Sequence, residues 1–237
     1  DEIVDNPGYD DEEKIREELE QFKQNWRKVY AGAEVDSSVL RATSDVFKKY
    51  NIPFEYSQAF LKAMIKDTKK SSYKNYRELK EYMYGSAAAV GLIMSYIIGF
   101  SKKSALKYAK KLGYAMQLTN FLRDIKEDYQ QRGRIYLPQA ELKNHGLDEQ
   151  DIAEQEVNDK FREFMKFQID RTRKLYEDSK KGITMLDQAG RYPVKLALVL
   201  YSKYLDKIEQ NNYDVYNSGL SLSWWDKLKS VYQAYKL

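Results

Sequence analysis

Apolar residues recur at intervals of three and four along most of the chain, the spacing of helices with one buried face. Ile15, Leu19, Phe22 and Trp26, followed by Val29 or Tyr30, predict a long helix over 11–31 whose outer face is crowded with Glu, Lys and Arg. Ser37 and Ser38 supply a cap for a helix over 39–50. Pro53 opens another, with Phe54, Phe60, Leu61, Met64 and Ile65 apolar. Residues 76–100, YRELKEYMYGSAAAVGLIMSYIIGF, read as one helix. Its small residues, Gly85, Ser86, Ala87, Ala88, Ala89 and Gly91, serve either close helix packing or a slim wall for a long apolar ligand. The run 87–100 is shorter than the ~20 residues of a membrane span and reads as a buried core helix. A helix over 101–129 follows, with Ser104 near its N-cap and Leu106, Ala109, Leu112, Gly113 and Met116 prolonging the buried face.

Short helical turns fill 139–155, with His145-Gly146 as a C-cap. Residues 158–181 form a charged amphipathic helix whose Phe161, Phe164, Phe167, Ile169, Leu175 and Tyr176 belong to the core. The last long helix covers 192–210. Trp224-Trp225 begins an amphipathic C-terminal helix, and the pair reads first as packing residues and second as a contact with a bilayer surface. The pattern as a whole predicts an all-α chain, and only four Pro and eleven Gly in 237 residues agree with it; the length fits one large domain or two small ones.

Composition removes several chemistries. There is no Cys, so disulfides, zinc–thiolate sites and thiol catalysis are excluded. The one His is His145, so imidazole triads and His-rich metal sites have almost nothing to draw on. Forty basic residues against thirty-six acidic ones give a mixed-sign surface rather than a nucleic-acid-binding field. Catalysis must rest on carboxylates, Tyr, Lys, Arg or a metal.

The chemistry concentrates in 117–138, QLTNFLRDIKEDYQQRGRIYLP. Asn120, Asp124 and Asp128 are spaced four and four, and Gln117 precedes Asn120 by three, so one helix face carries all four oxygens. Phe121, Leu122 and Ile125 wrap the same helix in core. Inward carboxylates are costly unless paired, and a hard cation is their natural partner. Arg123, Arg132 and Arg134 beside them suit a Mg²⁺-bridged phosphate. The competing reading is a solvated acidic face. RGRIYLP argues against it, because Gly133 and Pro138 interrupt any helical surface pattern.

The segment resembles the second aspartate-rich motif of the squalene/phytoene synthase family, QLxNxxRDxxED…RGRxYLP, through Gln117, Leu118, Asn120, Arg123, Asp124, Glu127, Asp128 and residues 132–138. Three further stretches are similar. The opening DEIVD matches the first aspartate-rich motif through Asp1 and Asp5. Tyr82, Tyr84, Ala88, Val90 and Gly91 match YxYxxAxxVG. Tyr201, Leu205, Asp206, Ile208, Asn211, Tyr213, Asp214, Val215 and Tyr216 match the phytoene-synthase ending. The Arg that commonly follows that ending is replaced by Asn217, Ser218 and Gly219.

The resemblance implies an all-α, single-domain isoprenoid-synthase-type helical bundle around a central cavity, spanning 1–237 and lacking an upstream segment. It implies Mg²⁺, with Mn²⁺ as a substitute, held by Asp1, Asp5, Asn120, Asp124 and Asp128. Gln117, Asn120, Arg123, Arg134, Ala88, Val90 and Gly91 would bind substrate, with Tyr82 and Tyr201 at the reacting groups beside the catalytic Asp1, Asp5, Asp124 and Asp128. The implied reaction joins two geranylgeranyl diphosphates to phytoene without NADPH. The alternatives are dehydrosqualene or squalene from farnesyl diphosphate, the latter with NADPH, and a non-catalytic prenyl-diphosphate-binding or assembly factor. The expected partners are prenyl diphosphates and no nucleic acid. The expected location is the cytoplasm, with the peripheral membrane contact as an alternative.

Overall fold

The computed structural model of the chain describes residues 11–217 and 220–237. Helix α1 (Glu12–Tyr30) starts where the Asp11 carboxylate accepts from the Glu13 and Lys14 backbone N–H groups, satisfying donors that a helix start leaves orphaned. Ser37 does the same for α2 (Ser38–Lys49), accepting from Leu40 N–H. Pro53 precedes α3 (Phe54–Asp67). These three helices close on Trp26, whose ring meets Phe47 edge-on and whose Nε1 donates to Ser57 Oγ at 2.8 Å. Full burial of each such side chain contributes about 1.5–3 kcal/mol.

The second part of the bundle is built on α6 (Ala105–Arg123), which runs along α10 (Asp159–Ile183). Against this pair lie α4 (Tyr76–Met83), a π-helical turn (Tyr84–Ala88), α5 (Ala89–Ile98) and α11 (Gln188–Gln210). The small residues let the backbones touch: a Cβ on Gly113 would lie 2.8 Å from the Ala87 carbonyl oxygen, and one on Gly91 2.9 Å from that of Ala109. Close packing thus accounts for Gly91, and for Gly85 against Ala59, while Ser86, Ala87 and Gly91 also line a cavity. Short α7 (Ile125–Arg132), α8 (Gln139–Asn144) and α9 (Glu149–Glu154) connect the long helices, and α12 (Trp224–Lys236) lies on α11.

Five expectations need correction. The stretch 76–100 is not one regular helix, because the π turn interrupts it, and Val90 and Met94 are 41% and 48% exposed, so the apolar run is not wholly core. The helix over 101–129 begins only at Ala105, where Ser104 makes no side-chain cap bond, and it breaks at Asp124. RGRIYLP contains a strand, β2 (Ile135–Pro138), parallel to β1 (Ser72–Tyr73), which helical periodicity could not announce. Phe167 is exposed beside Arg171 and His145. Trp224 and Trp225 are each 65% exposed, so they do not pack into the core. Tyr136, Leu137, Phe161, Phe164, Ile169 and Tyr176 are buried as expected. His145 caps α8, and its Nδ1 lies 2.7 Å from the Glu141 carbonyl oxygen.

Candidate active site

A cavity of about 450 Å³ lies between α5, α6, α10 and α11. Met94, Ile98, Leu112, Met116, Ile183 and Val194 make much of its wall apolar. Polar side chains gather from Ser86, Gln117, Asn120 and Tyr201. Two of these carry a cost: Ser86 Oγ and Asn120 Oδ1 are buried and have no hydrogen-bond partner. A buried polar atom left unpaired is destabilising by roughly 1–3 kcal/mol and calls for a ligand, water or ion.

One turn beyond Asn120 the helix breaks. Asp124 leaves helical geometry (φ −103°, ψ 17°), yet its carbonyl still accepts from Asp128 N–H at 2.8 Å. Asn120, Asp124 and Asp128 therefore follow one another along a kinked rather than a straight face. Arg123 grips the Asp124 carboxylate through both Nε and Nη2, each at 2.6 Å, and its guanidinium lies 4.7 Å over the Tyr204 ring. Burial and the Asp124 charge push Asp128 up to about 7, with Arg132 pulling against them. Among the described residues no group of three His, Cys, Asp or Glu converges as a metal site.

The expected residues fall into three groups. Gln117, Asn120, Val90, Gly91 and Tyr201 line the cavity. Arg123, Asp124 and Asp128 lie at the helix break that follows it. Tyr82, Ala88 and Arg134 are set behind this wall. Ala88 is fully enclosed where α6 passes at Gly113. Tyr82 stacks among Tyr73, Phe121 and Tyr136, and its hydroxyl is driven far above its usual value by burial and then by Asp67. Arg134 donates to Asp67 at 2.7 Å. Asp1 and Asp5 lie outside the described residues.

Asp67 was not singled out from the sequence. It is 4% exposed and accepts from Arg134 and from the Tyr136 hydroxyl, at 2.8 Å to Oδ1. Burial raises its pKa, while Arg134 and Tyr136 act to lower it. Spacing carried the signal: Phe60, Met64 and Asp67 continue one core-facing stripe, so an acid stands where a large apolar residue would be expected.

A family model described as squalene/phytoene synthase matches residues 1–226. The chloroplastic phytoene synthase of Narcissus pseudonarcissus is 37% identical over 99% of this chain and 56% of its own length. The 15-cis-phytoene synthase of Synechococcus elongatus is 34% identical over 90% of the chain and 72% of that protein. The chain thus spans a little over half the length of several of the plant relatives it matches, such as those from Narcissus pseudonarcissus and the Oncidium hybrid cultivar. A solved dehydrosqualene synthase in complex with ligand superposes with a TM-score of 0.89 at 24% identity, covering 100% of this chain and 81% of that one. The squalene synthase HpnC from Alicyclobacillus acidocaldarius gives 0.82 at 23% identity, covering 90% and 79%. At those identities the two structures establish the shared all-α fold, while the model match and the sequence relatives establish descent: this chain belongs to the squalene/phytoene synthase family.

Proposed function

We propose that the chain is a Mg²⁺-dependent prenyltransferase that condenses two geranylgeranyl diphosphates head to head to phytoene. The observation that carries this reading is the junction at Asn120, where a largely apolar cavity meets a partnerless amide oxygen one turn before two carboxylates. The names of the relatives from Narcissus pseudonarcissus and Synechococcus elongatus support the choice of product.

A hard cation suits this junction on two counts. It would satisfy Asn120 Oδ1, and it would offset the burial and, after it, the Asp124 repulsion that hold Asp128 up to about 7. Asn120, Asp124 and Asp128 would hold ions from this wall, and Asp1 and Asp5 would complete the set. When bound, Mg²⁺ neutralises diphosphate so that it can depart.

The chain's own residues do the rest. Arg123 exchanges its bidentate grip on Asp124 for the diphosphate oxygens as the allylic C–O bond breaks and the leaving group takes the electron pair. The apolar walls keep water from the resulting cation. The double bond of the second substrate attacks it, and proton loss closes a cyclopropylcarbinyl diphosphate. Departure of that diphosphate, ring rearrangement and loss of a second proton give phytoene. The Tyr201 ring and hydroxyl, set in the cavity wall, favour the migrating positive charge. Tyr82 supports Phe121 from behind the wall.

The test is incubation of the full chain with geranylgeranyl or farnesyl diphosphate, with Mg²⁺ and with or without NADPH. The expected result is NADPH-independent phytoene from the longer substrate. A product that requires NADPH refutes the phytoene assignment. Binding with no diphosphate release at any Mg²⁺ concentration makes the chain a prenyl-diphosphate-binding protein.

A further inference from the structure

Helix α12 presents the wrong face to solvent for an ordinary surface helix. Ser230 and Ala234, four residues apart, are its buried positions, and Asp226 continues that stripe. Helical geometry places Trp224, Trp225, Leu228, Val231, Tyr232 and Tyr235 on the opposite arc, where they are 42–79% exposed. The helix is well anchored, so this exposure is not fraying. Ser223 and Asp226 form a reciprocal capping box, Lys207 pairs with Asp226 at 2.9 Å, and the Tyr192 hydroxyl donates to the Val231 carbonyl at 3.3 Å. A contiguous aromatic face of this kind marks an interaction surface.

Its chemistry selects the partner. The only acid of α12, Asp226, is turned inward onto Lys207. Lys227, Lys229 and Lys236 flank the aromatic arc, and among the described residues none of them pairs with a carboxylate. Trp and Tyr beside Lys is the composition of a helix lying at the headgroup level of a bilayer. A second copy fits less well, because two-fold pairing of α12 with itself would set lysine against lysine. We propose that α12 docks the protein on an anionic lipid surface, with Trp224 and Trp225 entering the acyl boundary. The Tyr192–Val231 bond ties α12 to α11 just before Pro193 and Val194 of the cavity lining, so an apolar ligand exchanged between cavity and lipid would pass near that joint. That last step rests on the proposed function; the docking itself does not.

The test uses the full chain with vesicles of phosphatidylcholine alone or mixed with phosphatidylglycerol, read by co-sedimentation and by quenching of tryptophan emission with brominated acyl chains. Trp26 is buried, so quenching reports Trp224 and Trp225. Expected are binding to the anionic vesicles, quenching, and a loss of at least about tenfold in affinity for both Trp224→Ser/Trp225→Ser and Lys227→Glu/Lys229→Glu, with unchanged circular dichroism. No binding to anionic vesicles overturns the proposal, as does full binding by either double variant. A dimer that depends on the two Trp and binds no vesicle assigns the face to a second copy and overturns it too. No readout here requires turnover, so failure of this proposal and failure of the synthase reading are distinguishable.

Discussion

Arg134 places Nη1 2.7 Å from Asp67 Oδ2, joining the loop after α7 to the last turn of α3. Both side chains are nearly enclosed, at 12% and 5% exposure. The Tyr136 hydroxyl donates to the same carboxylate, so two residues of RGRIYLP fasten β2 to α3. The pair is a brace behind the cavity, where a role in gripping diphosphate had been expected. Asp67→Ala leaves a buried guanidinium without its charge and should cost about 3–5 kcal/mol. Asp67→Asn, which keeps an acceptor, should cost less. Urea unfolding measures both, and a loss below about 1 kcal/mol for the alanine variant would refute the brace.

The helix break at Asp124 carries the metal hypothesis. Asp124→Ala with Asp128→Ala should lower Mg²⁺-dependent diphosphate release by at least about a hundredfold. Prenyl-diphosphate binding in the absence of Mg²⁺ should change far less. Unchanged turnover would refute the metal assignment. Asn120→Leu isolates the orphaned amide: it removes an unsatisfied buried oxygen, so it should leave stability unchanged or improved while raising the Mg²⁺ concentration needed for half-maximal release.

The helical architecture was legible in the chain because its cause is local. Amphipathic spacing and a cap such as Ser37 act within a turn or two, and the elements they foretold are present. The cavity-lining set Gln117, Asn120, Val90, Gly91 and Tyr201 came from a resemblance and from spacing along single helices. What was not legible depends on distant partners. Asp67 and Arg134 are sixty-seven residues apart, and neither announces the other. β2 forms because Ile135 N–H finds the Ser71 carbonyl at 2.7 Å, a bond no periodicity encodes. Trp224 and Trp225 have the hydrophobicity of core residues, and only the small Ser230 and Ala234 on the inward face reveal which way the helix is turned.

If the proposed synthase reading holds, chain-length selectivity should follow from the volume of the cavity. Ala197 projects from α11 into the lining, beside Val194 and Tyr201. Ala197→Phe would extend into open space, so its effect on stability should be small, while the longer prenyl chain loses room. Turnover of geranylgeranyl diphosphate should fall more than that of farnesyl diphosphate, and competition between the two substrates reads the ratio. An unchanged ratio would mean that the prenyl chain lies elsewhere.

The attachment of α12 should be sensitive to acid. Asp226 is pulled well below the usual carboxylate range by the Ser223 hydroxyl, and then by Lys207 and the Ser223 N–H. An unfolded Asp titrates near ~3.9. Because the folded value is lower, the native state binds fewer protons in this window. The stability contribution is therefore fully present above about pH 4 and is lost as pH falls through the folded value. Hydrogen exchange in α12 should rise, relative to α10, between about pH 4 and pH 2. Asp226→Asn should show faster α12 exchange already at neutral pH and lack that additional acid step. Identical acid profiles for the two proteins would show that other carboxylates hold the helix in place.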